Sequence, residues 1–87
     1  MIPKSNLNAI ALKYPKNADA PVIAAKGKGF VAEQILKIAE KNQIPVVKDE
    51  ILANVLSIEE IGECIPENTW LAVAQIFAMI LDMEKRN

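Results

Sequence analysis

The stretch PVIAAKGKGFVAEQILKIAEKNQIPVV, from Pro21 to Val47, decides the fold. It begins and ends with short apolar runs, Pro21–Ala25 and Ile44–Val47, of the kind that form strands covered on both faces. Between them the spacing predicts a helix from about Phe30 to Lys41. A strand, a helix and a strand in so few residues predict a βαβ unit with parallel strands and a right-handed crossover.

The central helix has the expected amphipathic pattern. Its apolar residues recur at the 3.6-residue spacing of one helical face: Val31, Ala32, Ile35, Leu36, Ile38 and Ala39. Glu33 and Lys37 lie on the other face at the i,i+4 spacing that favours an ion pair. The pattern therefore predicts a helix with one face on the sheet and the other in water.

The flanking segments complete an α/β domain. Leu7–Tyr14 reads as a strand that Pro15 ends, and the six residues between Tyr14 and Pro21 are too few for a helical crossover, which favours antiparallel pairing. Asp49 is a predicted N-cap for a short helix, and Pro66 is predicted at the first position of a last helix. We expect one domain over residues 1–87: α/β, with a small mixed sheet of about three strands, one βαβ unit and three helices.

Composition excludes several classes of function. Ten basic and eleven acidic residues give a net charge of −1, without the excess of positive charge that nucleic-acid binders carry. The chain has no histidine, which excludes Ser-His and Cys-His catalytic pairs and histidine-ligated metal sites. Its single cysteine, Cys64, cannot form a thiolate metal site alone. We expect Cys64 to be a small buried side chain and the protein to use no metal or cofactor.

The most apolar stretch is too short to cross a membrane. It runs over 12 residues, from Trp70 to Leu81, and a membrane span needs about 20. The N-terminus lacks the long apolar run of a secretory signal. We therefore expect a cytoplasmic chain that does not insert into the membrane.

The last helix carries more apolar surface than a core-facing stripe requires. Val73, Ile76, Ile80 and Met83 form one apolar face, and a second set widens it: Leu71, Ala74, Phe77, Ala78 and Leu81. A helix that is apolar over most of its circumference is either buried on several sides or presents a partner surface. Both alternatives remain open at this stage.

Two further motifs have weak chemical interpretations. VIAAKGKGF, with its turn at Lys26–Phe30, resembles a phosphate loop, so a small phosphate- or nucleotide-binding protein is the alternative function. Its spacing matches neither of the common glycine-rich nucleotide motifs. The carboxylates of Glu59, Glu60 and Glu63 are expected on a solvated turn and not in a catalytic cleft. We expect no enzymatic activity.

Four blocks together resemble one family. They are AIALKY (Ala9–Tyr14), DAPVIAAKG (Asp19–Gly27), IPVV (Ile44–Val47) and EIGECIPENTWLAVAQIFA (Glu60–Ala78). In this order and register they resemble the cytoplasmic domain of the FlhB and YscU family, the specificity-switch proteins of type III secretion. The resemblance implies a small sheet packed by helices, in agreement with the pattern above.

The chain departs from the family at two places. Members carry Asn-Pro-Thr-His and cleave themselves between the Asn and the Pro; the matching positions here are Lys4, Ser5, Asn6 and Leu7. The resemblance therefore implies a chain that does not cleave itself, similar to the fragment that follows cleavage and without the membrane helices that precede it. Glu50–Asn54 stands where the family usually has Pro-Pro-Leu-Ala-Arg.

The resemblance also implies a binding patch and its partners. Carried over by position, the apolar patch that receives export substrates falls on Ala20, Pro21, Ala74 and Phe77. We expect a non-catalytic docking module at the cytoplasmic face of the flagellar or type III export apparatus. Its expected partners are export-substrate proteins and the hook-length ruler protein, with export gate components or an upstream FlhB fragment as further candidates. Because the chain lacks a family strand that precedes the cleavage site, weak self-association through a sheet edge is also expected.

Overall fold

Six elements follow one another along residues 7–85, the part of the chain that the computed structural model describes. They are strands β1 (Asn8–Lys13) and β2 (Val22–Lys28), helices α1 (Phe30–Lys41) and α2 (Glu50–Leu56), a 3₁₀ turn (Glu67–Thr69) and helix α3 (Trp70–Lys85). The α/β class, the small sheet and the three helices are as predicted. Lys4, Ser5 and Asn6, which match the first three positions of the family's cleavage motif, lie outside the described residues.

Strands β1 and β2 pair in antiparallel fashion, as the short connection predicted. Asn8 lies opposite Lys28 at one end and Lys13 lies opposite Val22 at the other. The register shifts once, because Ala24 has no partner between the pairs Ala11–Ala25 and Leu12–Ile23. Such a bulge bends the strand and increases its local twist.

The prediction of a third strand at Ile44–Val47, and with it the βαβ unit, was wrong for the described residues. Over residues 7–85 the sheet has two strands, and residues 44–49 belong to neither a helix nor a strand. Pro45 has no backbone N–H to donate to a neighbouring strand. Ile44 and Val46 are 54% and 58% exposed, whereas a central strand would be buried.

The end of α1 sets the path of this segment. Gln43 has a positive φ of 57°, and its N–H donates to the Glu40 carbonyl at 3.2 Å. The N–H of Ile44 donates to the Ala39 carbonyl at 2.8 Å. These two bonds form a Schellman motif, which ends the helix and turns the chain away from it.

The helix boundaries are close to those predicted. Helix α1 spans Phe30–Lys41, and Lys37 Nζ lies 3.5 Å from Glu33 Oε1. Asp49 caps α2, since its carboxylate accepts a hydrogen bond from the N–H of Leu52 at 3.0 Å. Pro66 is not the first helical residue: with a ψ of 149° it is the extended cap of the 3₁₀ turn that leads into α3.

The core joins the start of β2 to α2 and α3. Its buried residues are Ala20, Ile23, Leu56, Ile65 and Val73, and half-buried Ile10, Leu12, Leu52 and Phe77 pack against it. The prediction that Cys64 is buried was wrong, because its neighbour Ile65 enters the core instead. No helix within residues 7–85 has the length and apolarity that crossing a membrane requires.

Backbone hydrogen bonds fix the start of β2 against the segment that leads to α3. Ile23 donates to the Glu63 carbonyl at 2.9 Å and accepts from Gly62 at 2.8 Å, while the N–H of Ile65 donates to the Pro21 carbonyl at 3.0 Å. These bonds hold Ala20 and Pro21 beside the first turns of α3. The fold therefore brings two segments far apart in sequence to one place.

Candidate functional site

A groove of about 400 Å³ opens between α3 and the connection from β1 to β2. One wall comes from the connection and the other from a single stripe of α3. Its lining residues are Tyr14, Asp19, Ala20, Pro21, Trp70, Val73, Ala74, Phe77, Ala78 and Leu81. We call this site the α3 groove.

The floor of the groove is part of the core. Ala20 and Pro21 are buried, and Val73 is buried below them. The turn before them is tight: the N–H of Ala18 donates to the Pro15 carbonyl at 3.1 Å, and Asn17 has a positive φ of 71°. Asparagine tolerates this left-handed conformation better than most residues, so the turn returns the chain to the core at Ala20.

Two aromatic rings meet at the groove wall. The rings of Tyr14 and Phe77 lie with their centroids 6.3 Å apart and their planes at 68°, an edge-to-face contact. The Tyr14 hydroxyl donates to the Asp19 carbonyl at 3.3 Å, which fixes the tyrosine to the connection. This contact joins the two walls.

Trp70 stands at the beginning of the α3 stripe. Its indole Nε1–H donates to the Ile65 carbonyl at 3.1 Å, which orients the ring. The side chain remains 42% exposed and lines the groove. From Trp70 to Leu81 the stripe covers about 16 Å of helix, long enough to contact two or three side chains of a ligand.

The structure brings together all four residues singled out from the sequence. Ala20 and Pro21 form the buried floor, Ala74 is exposed on the α3 stripe, and Phe77 is half-buried between the groove and the core. Their role in docking stays a prediction. The apolar surface of α3 is thus partly in the core, at Phe77, and partly exposed to solvent, at Ala74.

Sequence reasoning missed three exposed contributors to the groove. From the sequence, Tyr14 ends the first predicted strand and Trp70 begins the most apolar stretch, and neither is predicted to line a site. Asp19, the acid that lines the groove, was noted only as part of a motif. The spacing of α3 could have identified Trp70, because it lies three residues before Val73 and four before Ala74 and so shares their helical face.

The lining determines what the groove can accept. Of its ten lining residues, Asp19 is the one that carries a charge and Tyr14 adds a hydroxyl group. The other eight are aliphatic or aromatic. Such a surface binds apolar side chains by excluding water and offers few groups for acid–base chemistry. Within residues 7–85, no cluster of three or more Cys, Asp or Glu is placed to hold a metal ion.

The segment that resembles a phosphate loop is not a loop. Lys26, Gly27 and Lys28 lie within β2, and only Gly29 stands between the strand and α1. The ammonium of Lys26 donates to the carbonyl oxygens of Ser57 at 3.1 Å and Glu59 at 2.7 Å. Lys26 therefore holds the end of α2 and is not free to cradle a phosphate.

Gly27 also has a packing role. A Cβ at this position would lie 2.3 Å from Cγ1 of Val31, closer than side chains can approach. Glycine here lets the strand pass close to the first turn of α1. This accounts for one glycine of the motif without a ligand.

The comparisons with known proteins cover nearly the whole chain. The model of the FlhB HrpN YscU SpaS family matches residues 6–80. The flagellar biosynthetic protein FlhB of Aquifex aeolicus is 45% identical over 80 residues, which are 90% of this chain and 23% of that protein. The uncharacterized protein YlqH of Bacillus subtilis is 36% identical over 78 residues, which are 88% of this chain and 84% of YlqH.

Solved structures agree with this assignment. The cytoplasmic domain of FlhB from Shewanella putrefaciens superposes with a TM-score of 0.86 at 31% identity, covering 91% of this chain and 66% of that one. The Y316D variant of the EscU C-terminal domain gives a TM-score of 0.79 at 34% identity, covering 86% and 92%. By sequence and by fold, the chain belongs to the FlhB HrpN YscU SpaS family and is homologous to the C-terminal cytoplasmic domain of FlhB.

Proposed function

We propose that this chain is a docking module of the flagellar or type III export apparatus, which binds segments of export substrates or of the hook-length ruler protein in the α3 groove. The observation that carries the proposal is the convergence of Ala20, Pro21, Ala74 and Phe77 on one apolar groove. Family membership supports the export setting. The chain spans 23% of the Aquifex aeolicus FlhB, so the activity of the whole relative is itself part of the proposal.

The size of the groove supports a weak and reversible contact. A site of about 400 Å³ takes two or three apolar side chains of an extended or helical segment. The buried area would be well below the roughly 1,200 Å² of a stable interface. Weak binding suits a docking site that must release each substrate after binding it.

The proposed role is non-catalytic. Lys4 and Ser5 stand where the family has the Asn and Pro of its cleavage site, and the chain has no histidine. An asparagine side chain is the nucleophile of that cleavage, so the substitution removes the reacting group. The protein acts in this proposal through binding alone and needs no cofactor.

The proposed place of action is the cytoplasmic face of the export apparatus. Export gate components and an upstream FlhB fragment are proposed neighbours there, because homologous domains belong to larger FlhB proteins. Neither nucleic acid nor insertion into a membrane enters the proposal. The net charge of −1 lacks the overall excess of positive charge that nucleic-acid binders carry.

The direct test is a charge placed inside the groove. Ala74→Asp puts a carboxylate on the apolar wall, and we expect it to abolish binding of flagellar export-substrate segments in isothermal titration calorimetry. Because Ala74 is exposed, the far-UV circular dichroism and melting temperature should remain nearly unchanged. Gln75→Asp is the matched control: it adds the same charge to the same helix outside the groove, and binding should persist.

Two results contradict the proposal. If Ala74→Asp stays folded and binds like the wild type, the docking site lies elsewhere. If Gln75→Asp abolishes binding equally, the effect is one of net charge and not of the groove. Leu81→Asp, at the far end of the groove, gives a second test should Ala74→Asp fail to fold.

A further inference from the structure

The charges of this chain are divided between its two halves. From Asp49 to Glu84 the sequence contains eight acids and no lysine or arginine: Asp49, Glu50, Glu59, Glu60, Glu63, Glu67, Asp82 and Glu84. The net charge of −1 hides this division, since most lysines precede Asp49. Residues 49–84 therefore contribute only negative charge to the surface that they form.

An apolar stripe lies within this acidic half, on the outer side of α2. Ile51, Val55 and Ile58 follow one another at i, i+4 and i+7, which places them on one helical face. Ile51 is 79% exposed and Ile58 is 78% exposed. Ser57 continues the helical conformation past Leu56, so Ile58 extends the same face. We call these three residues the α2 stripe.

The α2 stripe is separate from the α3 groove. The other side of α2 carries Leu52 and Leu56, which pack into the core. Val73 and Phe77 of α3 contact that same core. The stripe therefore faces away from the core that supports the groove, and the two surfaces share no residue.

Carboxylates flank the stripe along the chain. Glu50 is the first residue of α2, and Glu59, Glu60 and Glu63 follow the helix in the next turn. The turn is ordered by the N–H of Glu60, which donates to Glu63 Oε1 at 3.1 Å. Of the nearby cations, Lys48 precedes α2 and the ammonium of Lys26 is already held by the carbonyls of Ser57 and Glu59.

We propose that the α2 stripe is a second docking surface, and that it binds an amphipathic segment of a partner protein in which lysines or arginines flank two or three apolar side chains. The isoleucines supply the apolar contact, and the carboxylates that flank them in the chain select and steer the basic residues. The same carboxylates repel an anionic membrane or a nucleic acid. This partner is distinct from the substrate segment proposed for the α3 groove.

Two synthetic peptides test the proposal. Both carry leucines at i, i+4 and i+7 on a helical scaffold; one has lysines and the other glutamates at the remaining polar positions. Binding is measured by fluorescence anisotropy at low and high salt. We expect the lysine peptide to bind, the glutamate peptide not to bind, and the affinity to fall as salt rises.

Variants locate the contact. Ile51→Ser combined with Ile58→Ser should weaken binding of the lysine peptide about tenfold or more, because both apolar contacts are lost. Phe30→Ser removes another highly exposed apolar side chain, 70% exposed, from the lysine-rich half and should have no effect. Ala74→Asp in the groove should not weaken it either, which separates this surface from the proposed substrate site.

Other outcomes overturn the proposal. Equal binding of both peptides shows that charge does not select the partner, and unchanged binding to the serine variant shows that the stripe is not the contact. If sedimentation shows that the wild type dimerises and that the serine variant is a monomer, the occupant of the stripe is a second copy of this chain. If that variant does not fold, Glu59→Gln, Glu60→Gln and Glu63→Gln together must still reduce both the affinity and its salt dependence.

Discussion

Gly27 lies where β2 passes closest to α1, and it shows how one residue fixes two elements. The position that a Cβ would occupy is 2.3 Å from Val31 Cγ1 and 3.3 Å from the backbone nitrogen of Ala32. The side chain of Val31 is partly exposed, but the backbone of the helix cannot retreat without moving α1 from the sheet. Glycine at this position is therefore a packing requirement.

Replacing Gly27 with alanine should destabilise the fold. We expect a loss of about 1–3 kcal/mol in the free energy of unfolding, because the new methyl group overpacks the strand against the helix. Urea denaturation followed by circular dichroism measures this. Adding Val31→Ala should recover part of the loss, since the second substitution removes the nearest atom. A Gly27→Ala protein as stable as the wild type would show that α1 moves freely over the strand.

Some single residues were readable from the sequence and others were not. Asp49 was predicted as a cap because a carboxylate before an apolar helical pattern has a local hydrogen-bonding role, and the structure confirms it. Gln43 gave no such signal: glutamine seldom takes a positive φ, and here the two Schellman hydrogen bonds compensate for it. The predicted burial of Cys64 was wrong, because the local sequence does not show which of two neighbouring residues, Cys64 or Ile65, enters the core.

At the scale of elements, Lys26 links β2 to the end of α2. Its ammonium donates to two carbonyl oxygens in the segment that follows the helix. Carbonyl groups at the end of a helix carry partial negative charge, so a cation there is favourable. The lysine thereby connects strand and helix across 33 residues of sequence.

Lys26→Met should weaken this connection while keeping a side chain of similar length. We expect a loss of about 1–2 kcal/mol, because two charge-assisted hydrogen bonds disappear and leave carbonyl groups without their donor. Thermal unfolding measures it, with Lys28→Met, an exposed residue at the end of the same strand, as the control that should change little. Equal melting temperatures for the two variants would show that the linkage contributes nothing.

The helices were more predictable than the strands for a physical reason. Periodicity and capping are properties of the local sequence, and they placed α1 at Phe30–Lys41. A strand needs a partner, and Ile44–Val47 has the composition of a buried strand without being paired within residues 7–85. Conversely, Lys26–Lys28 looked like a loop, yet pairing with β1 extends β2 to Lys28.

At the scale of the whole molecule, several large apolar side chains remain exposed at both ends of α1. Phe30 and Val31 at the start of α1, together with Ile44 and Val46, are more than half exposed. The two-stranded sheet of residues 7–85 is small for a domain of this composition. Exposed large apolar side chains are typical of sites that another chain covers.

We expect the chain to associate through these exposed side chains at high concentration. Analytical ultracentrifugation should show concentration-dependent dimers, or binding of an extended strand peptide from an upstream FlhB fragment, because either covers the exposed apolar side chains. Val46→Lys should reduce both, since it replaces one of these exposed apolar side chains with a charge. A strict monomer that also ignores the strand peptide would contradict the expectation.

The candidate site was predictable in part. A helical wheel identified α3 as too apolar for a core-facing helix alone, and the family resemblance supplied Ala20 and Pro21. The opposite wall could not be predicted from the sequence. The contact of Tyr14 with Phe77 depends on a turn and on the hydrogen bonds between β2 and residues 62–65. Contacts between distant segments follow from the fold and not from local pattern.

The single tryptophan of the chain offers the most direct measurement of the proposed docking, because Trp70 lines the α3 groove and is partly exposed. Its fluorescence should be followed while an apolar segment of a flagellar export substrate, free of tryptophan, is titrated into the protein. We predict a saturable shift of the emission to shorter wavelength as the ligand excludes water from the indole, and no shift with Ala74→Asp. Binding that calorimetry detects while the emission of Trp70 stays unchanged would contradict docking in the α3 groove.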